Sequence, residues 1–251
     1  ELSTATYLIA ATGPFSEPSV PAIPGLDSFE GAAFHSAEWD HDYDLSGKRV
    51  AVIGTGASAV QFVPQIQPKV TALTLFQRTP TWILPHPDRP VSPAVRSLFR
   101  RVPATQRALR GACSLVQELM VPGLVRKPAL LAPMVAAGKW NLKRQVADPE
   151  LRRRLTPTYE FGCKRPTFSN KYFRALTQPN ASVVSDGIVR VTPTGVETAD
   201  GTVHEVDAIV FGTGFKLVGN EGFKHIHGTD GRSLAETWTG GEMVSYLGTA
   251  V

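Results

Sequence analysis

The apolar residues in the first third of the chain come in short unbroken runs rather than at helical spacing. Arg49-Val50-Ala51-Val52-Ile53 is such a run, and it passes directly into Gly54-Thr55-Gly56-Ala57-Ser58-Ala59. An unbroken run closed by glycine is the pattern of a parallel strand buried on both faces. Val60 to Gln67 then predicts a helix, with Pro64 inside it expected to kink it. Val70 to Phe76 predicts the next strand, which completes a strand–glycine loop–helix–strand unit. Ahead of it, Tyr7 to Ala11 reads as a short buried strand ending at Thr12-Gly13. A connector carrying Pro14, Pro18, Pro21 and Pro24 follows and is expected to be extended, because proline fixes φ and disfavours helix before it. Phe29 to Asp44 is rich in aromatics and histidine.

From about Pro85 to Leu155 strand signals vanish. Helical stretches replace them, among them Ala94 to Arg101 and Gln106 to Met120, studded with arginine and lysine. This reads as a helical insertion with a solvated basic face; a phosphate-facing or partner-facing patch is the other reading. After Leu155 short strands return at Ser182–Val184, Ile188–Val191 and Gly195–Thr198. Asp200-Gly201 predicts a hairpin turn of the type that needs positive φ at both central residues. Ala208-Ile209-Val210-Phe211 predicts a buried strand ending in Gly212-Thr213-Gly214, an echo of Leu8 to Gly13. Two strands that end in small-Thr-Gly suggest two crossovers between nucleotide-binding domains.

Composition narrows the function. The chain has 251 residues, 42% hydrophobic and 19% charged, with a net charge of +4. That is a globular composition with a real core, and the charge is too mild for a nucleic-acid binder. Cys113 and Cys163 form neither a CxxC nor a zinc pattern, so a reducing, cytoplasmic setting is expected. No apolar run reaches the length of a membrane span, and no signal peptide opens the chain. Both ends read as cut: an apolar run begins within a few residues of Glu1, and another is still running at Val251.

The glycine loop carries the first chemical reading. Gly54 permits the tight turn, Gly56 lets backbone approach a pyrophosphate, and Ala59 is the small residue for close helix–strand packing. The loop residues Gly54 to Ala59, with Gln61 behind them, then face a dinucleotide with the N-terminus of a helix. The end of the second strand selects the cofactor. A carboxylate there would bond a free ribose 2′-OH, but this chain has Phe76-Gln77-Arg78-Thr79. Arg78, with Thr79 beside it, suits the 2′-phosphate of NADPH.

Phe29-Glu30-Gly31-Ala32-Ala33-Phe34-His35-Ser36-Ala37-Glu38-Trp39-Asp40 fits FxGxxxHxxxW followed by Pro or Asp. It resembles the fingerprint of type I Baeyer–Villiger monooxygenases, and it stands just before the NADPH-binding glycine loop, as in that family. The resemblance runs over nearly the whole chain. Ala11-Thr12-Gly13 and Gly212-Thr213-Gly214-Phe215 resemble the family's two crossover motifs; Gly212, where the family commonly has alanine, is a small-for-small change expected to be harmless. Gly162-Cys163-Lys164-Arg165-Pro166 resembles the family's Lys-Arg segment, and Ser245 to Thr249 the approach to the last FAD-binding segment.

The resemblance implies a fold, two cofactors and a reaction. The fold is an α/β, Rossmann-like two-dinucleotide flavoprotein: residues 14–210 form the NADPH domain with the insertion at about 85–155, and residues 1–13 and 211–251 belong to an FAD-binding domain. NADPH reduces FAD, O2 adds to give a C4a-peroxyflavin, and a ketone becomes an ester or lactone. His35 would couple cofactor movement to catalysis, Lys164 would reach the 2′-phosphate, and Arg165 would be the active-site arginine, a fixed positive charge for the developing anion. The family's opening FAD-binding GxGxxG is absent from this chain, so the chain alone is expected to bind NADPH without turning over. Oxidation of amines or sulfides is a second reading, a non-catalytic NADP-binding module a third, and a disulfide reductase the weakest.

Overall fold

The structure, a computed structural model, describes residues 4, 13, 15–87, 90–217 and 221–238. The predicted strand at Tyr7–Ala11, the crossover residues Ala11 and Thr12, and Ser245–Thr249 lie outside the described residues. In chain order the first half contains β1 (Ala32–His35), β2 (Arg49–Ile53), α1 (Ala57–Ile66), β3 (Ala72–Phe76) and β4 (Ile83–Leu84). The insertion supplies α2 (Pro93–Arg101), α3 (Pro103–Val125), α4 (Ala132–Gln145) and α5 (Pro149–Arg154). Then follow β5 (Thr167–Phe168), α6 (Tyr172–Leu176), β6 (Ala181–Val184), β7 (Ile188–Thr192), β8 (Gly195–Thr198), β9 (Val203–Glu205) and β10 (Ala208–Phe211).

Five strands make one parallel sheet in the order β1-β10-β2-β3-β6. The unbroken apolar runs have the predicted cause, since both faces of the sheet are covered. Val50, Val52, Leu73, Leu75, Ala208 and Val210 face a layer containing α1 and α6, together with Leu142 of α4. Ala51, Ile53, Phe76, Ile209 and Phe211 face the opposite way, against Val191 and Val196 of an antiparallel β7-β8-β9 sheet. Alternate residues of one strand thus enter two separate cores, as the period of two requires.

The segment Phe29–Asp44 contains a strand, β1, paired with β10 at the edge of the sheet. Two local readings need correction. Helix α1 begins at Ala57, three residues earlier than expected, and continues through Pro64 to Ile66. The Asp200-Gly201 hairpin is a three-residue loop rather than a two-residue turn. The Gly201 N–H donates to the Thr198 carbonyl at 2.9 Å, the Thr198 N–H donates to the Thr202 carbonyl at 2.9 Å, Gly201 has a left-handed φ of +82°, and the Asp200 carboxylate holds the Thr202 N–H at 3.1 Å. The left-handed glycine thus closes a three-residue loop.

Candidate dinucleotide site

The site lies where β2 ends and α1 begins. The Gly54 N–H continues the ladder to the Phe76 carbonyl at 3.0 Å, and the backbone then turns at φ +109°. A side chain at Gly54 would meet the Gly212 carbonyl oxygen at 2.5 Å, so this glycine is required twice, by conformation and by packing. Gly56 differs. Its φ of −70° suits any residue, and a Cβ there would meet the Gly212 oxygen at an ordinary 3.5 Å. Among the described residues nothing requires glycine at that exposed position. Gly56 is also the N-cap of α1 and offers no side-chain cap, so the first-turn N–H groups face outward without one. An open helix N-terminus with bare backbone in front of it fits a pyrophosphate. Thr55 steadies the loop through a 2.8 Å bond from Oγ1 to the Thr79 carbonyl. Ser58 is half-buried, and Gln61 is exposed on the first turns of α1.

The second crossover packs against this loop. The Gly212 N–H donates to the Ile53 carbonyl at 2.8 Å, and a Cβ at Gly212 would lie 3.2 Å from the Ala59 Cβ. The two positions share one space: a methyl group at residue 212 would need the Ala59 methyl to give by a few tenths of an ångström, and glycine at residue 212 avoids that contact. Gly212→Ala is expected to cost about 1 kcal/mol through overpacking. Ala59→Gly costs about 1 kcal/mol by itself as a helical glycine, but combined with Gly212→Ala it removes the overpacking, so the pair should cost less than the sum, a coupling that a double-mutant cycle of thermal stability measures. Simple additivity would refute the shared space.

At the end of β3 the chain alternates. Gln77 turns inward, 3% exposed, and its Nε2 donates to the Arg154 carbonyl at 2.8 Å and to Ser185 Oγ at 3.2 Å. Arg78 is exposed and Thr79 half-buried beside the Thr55 anchor. Lys164 and Arg165 are exposed on a separate loop. That loop is tied to the chain just beyond Arg78: the Trp82 indole donates to the Tyr159 carbonyl at 3.1 Å and packs edge-on against Phe161, and β4 pairs with β5. The Lys164 ammonium sits 4.9 Å from the centre of the Tyr159 ring. No described hydrogen bond joins Lys164 or Arg165 to the glycine loop. Trp82 and Tyr159, which hold the loop, carried no sequence signal beyond being aromatic.

His35 closes β1 and is 2% exposed. Its Nδ1 accepts the Ala37 N–H at 3.1 Å, while Nε2 is buried with no hydrogen-bond partner. Burial lowers its pKa below the ordinary imidazole value, against the opposing pull of the Glu38 carboxylate and the Gly214 backbone. The ring packs edge-on against Phe215, which packs in turn against Phe15. Residues 17–19, just after Phe15, run beside residues 213–216. The Ser19 N–H donates to the Gly214 carbonyl at 2.9 Å, the Thr213 hydroxyl donates to the Ser19 carbonyl, and Pro18 bridges Phe215. Gly13 and Gly214 both have left-handed φ, +68° and +82°. Trp39 packs between Phe34 and Phe62 of α1. The fingerprint thus joins two things, with His35 under the crossovers and Trp39 against the helix of the glycine loop.

Comparison with known proteins agrees with this geometry. A family model described as pyridine nucleotide-disulphide oxidoreductase matches residues 1–116. A Baeyer-Villiger monooxygenase of Streptomyces coelicolor is 51% identical over 247 residues, which is 98% of this chain and 48% of that protein. One from Pseudomonas aeruginosa is 46% identical, over 98% of this chain and 46% of that protein. The chain therefore spans about half the length of the curated relatives it matches. Among solved structures, an oxidized steroid monooxygenase bound to NADP superposes with a TM-score of 0.80 at 31% identity, covering 96% of this chain and 53% of that one. Cyclohexanone monooxygenase from Rhodococcus sp. Phi1 bound to NADP+ gives 0.78 at 28%, covering 94% and 51%.

Proposed function

We infer that this chain belongs to the Baeyer–Villiger type of flavin-dependent monooxygenase and is the NADPH-binding part of an enzyme that inserts one oxygen atom of O2 beside a ketone carbonyl. The observation that carries the reading is the uncapped N-terminus of α1 behind Gly56, with Arg78 exposed at the end of the next strand. Gly54 to Ala59 receive the pyrophosphate, and Gln61 lies on the first turns behind them. Arg78, Thr79 and Lys164 receive the ribose 2′-phosphate. Residues 14–210 act as the NADPH domain. Residues 1–13 and 211–251, with Ala11 to Gly13 and Gly212 to Gly214 at the junctions, lead into an FAD-binding domain. Bound flavin would supply electron transfer from NADPH and the activation of O2. Arg165 offers a guanidinium charged at any working pH to the anion that develops during oxygen insertion. His35, buried at the end of β1 against Phe215, positions the two domains and transfers no proton.

The disulphide chemistry in the family model's description has no support in this chain, since Cys113 and Cys163 are both free and exposed and lack CxxC spacing. Free thiols suit a cytoplasmic setting. The full-length protein, incubated with NADPH, O2 and a panel of ketones, should yield esters or lactones. Sulfoxides or N-oxides with no ester would sink the ketone assignment in favour of heteroatom oxidation.

Cofactor choice has its own test. Arg78→Ala is expected to raise the KM for NADPH about tenfold, as loss of one exposed charge-assisted contact implies, and to leave the KM for NADH nearly unchanged. Equal effects on both would refute contact with the 2′-phosphate.

A further inference from the structure

Gln77 stands just past the end of β3, between the sheet and the exposed Arg78. Its backbone N–H donates to the Val184 carbonyl at 2.9 Å and so extends the pairing of β3 with β6. Its side chain is buried, and Nε2 donates both to the Arg154 carbonyl at 2.8 Å and to Ser185 Oγ at 3.2 Å. Arg154 is the last residue of α5, and Ser185 is the first after β6. The Arg154 guanidinium in turn donates to the Val183 carbonyl of β6 at 3.1 Å. One amide thus joins the ends of β3, β6 and α5. A carbonyl can only accept, so the orientation of the amide is fixed. Its Oε1 is left buried with no hydrogen-bond partner among the described residues. Burying an amide with one bond unmade costs stability that an apolar residue of the same size would not cost. A position that gives up stability in this way carries the mark of a functional constraint.

The other side of Arg78 is fastened as well. The Thr79 carbonyl accepts the Thr55 hydroxyl at 2.8 Å. The backbone of Arg78 therefore runs between two anchors, one to β6 and α5 and one to the glycine loop. With residue 77 held inward, alternation along the chain sends residue 78 outward. Arg78 makes no salt bridge among the described residues. The two anchors, rather than a partner of its own, set where its guanidinium starts. A long exposed side chain adds to binding only what is left after it has been ordered, and a fixed backbone lowers that cost. We propose that Gln77 is a positioning residue for cofactor choice. Its amide holds Arg78 where it meets the 2′-phosphate, so that the preference for NADPH over NADH depends on a buried side chain behind the contact. This rests on Arg78 being a 2′-phosphate residue.

The test is steady-state kinetics of the full-length protein with NADPH and with NADH. Gln77→Met keeps the length of the side chain and removes both donated bonds. It is expected to raise the KM for NADPH about fivefold and to leave kcat and the KM for NADH nearly unchanged. Ser185→Ala, at an exposed position, gives up only the longer of the two bonds. It should shift the KM for NADPH the same way by less, about twofold to threefold, and it carries the test should Gln77→Met lose its fold. In an Arg78→Ala background Gln77→Met should add nothing to the loss of NADPH, because the amide acts through Arg78. Three results would each overturn the proposal: a rise in both KM values alike, a rise in neither, or the same selective loss with Arg78 already gone. Failure of the 2′-phosphate reading looks different. Arg78→Ala alone would then affect NADPH and NADH equally, and the positioning role of Gln77 would fall with it.

Discussion

Replacing Gly54 with alanine is expected to destabilise the protein and weaken NADPH binding together, whereas Gly56→Ala should weaken binding alone. The two glycines stand two residues apart in one loop, but the structure uses them differently. At Gly54 the φ of +109° is strained for any L side chain, and the new Cβ would press to 2.5 Å from the Gly212 carbonyl. Strain and overpacking together cost about 3 kcal/mol or more, roughly 6–12 °C in Tm for a chain of this size. At Gly56 the φ is −70° and the nearest atom to a new Cβ is 3.5 Å away. Stability there should change by no more than about 0.5 kcal/mol. What the methyl group obstructs is the approach of a ligand to the N-terminus of α1, so the Kd for NADPH should rise by about tenfold or more. Thermal melting with and without NADPH separates the two effects. A Gly56→Ala protein that melts at the wild-type temperature and still gains the full stabilisation from NADPH would remove the pyrophosphate from this loop.

That contrast marks what could be read from the chain before its structure was known. The glycine loop, the strand before it and the strand after it were legible because burial on both faces forces unbroken apolar runs, and a run ended by glycine has few alternatives. Arg78 was legible because the end of a second strand is a defined place in such a unit. The distinct duties of Gly54 and Gly56 were not, because they depend on Gly212, more than 150 residues away in sequence. The same distance hid the shared space of Ala59 and Gly212. Strand β1 went unread for a different reason. His35 and Phe34 mark a motif known by resemblance, but Ala32 and Ala33 give an edge strand no apolar signature. Nor could the sequence tell that Gln77 turns inward and Arg78 outward, since that depends on where the Arg154 carbonyl lies. The basic insertion was read as a solvated face. The structure leaves Arg96, Arg100, Arg101, Arg107 and Arg110 exposed, whereas Arg152 is half-buried.

Arg165→Ala, made in the full-length protein, is expected to leave flavin reduction by NADPH within a few-fold of wild type and to lower the yield of oxygenated product at least about a hundredfold. The split follows from what the side chain offers. Hydride transfer from NADPH to flavin builds no anion that needs a second fixed cation, so a distant guanidinium contributes little to it. Oxygen insertion at a carbonyl builds negative charge on oxygen, and a permanently charged group held in place lowers that barrier without reorganising. The loop is built to hold it. Phe161 is buried against Trp82, Gly162 turns the chain at φ +101°, and β5 fastens the far side two residues after Arg165. Arg165 is exposed and makes no salt bridge among the described residues, so its charge is available to a substrate and not committed to the fold. Anaerobic reduction, followed as loss of flavin absorbance, measures the first half-reaction. Product per NADPH consumed measures the second, and the shortfall should appear as hydrogen peroxide. Arg165→Lys keeps the charge but loses the planar fork, so it should recover part of the product yield and none of the two-pronged contact. A variant in which reduction and oxygenation fall together would move Arg165 out of the oxygen-inserting step and place it, with Lys164 and Arg78, among the residues that bind NADPH.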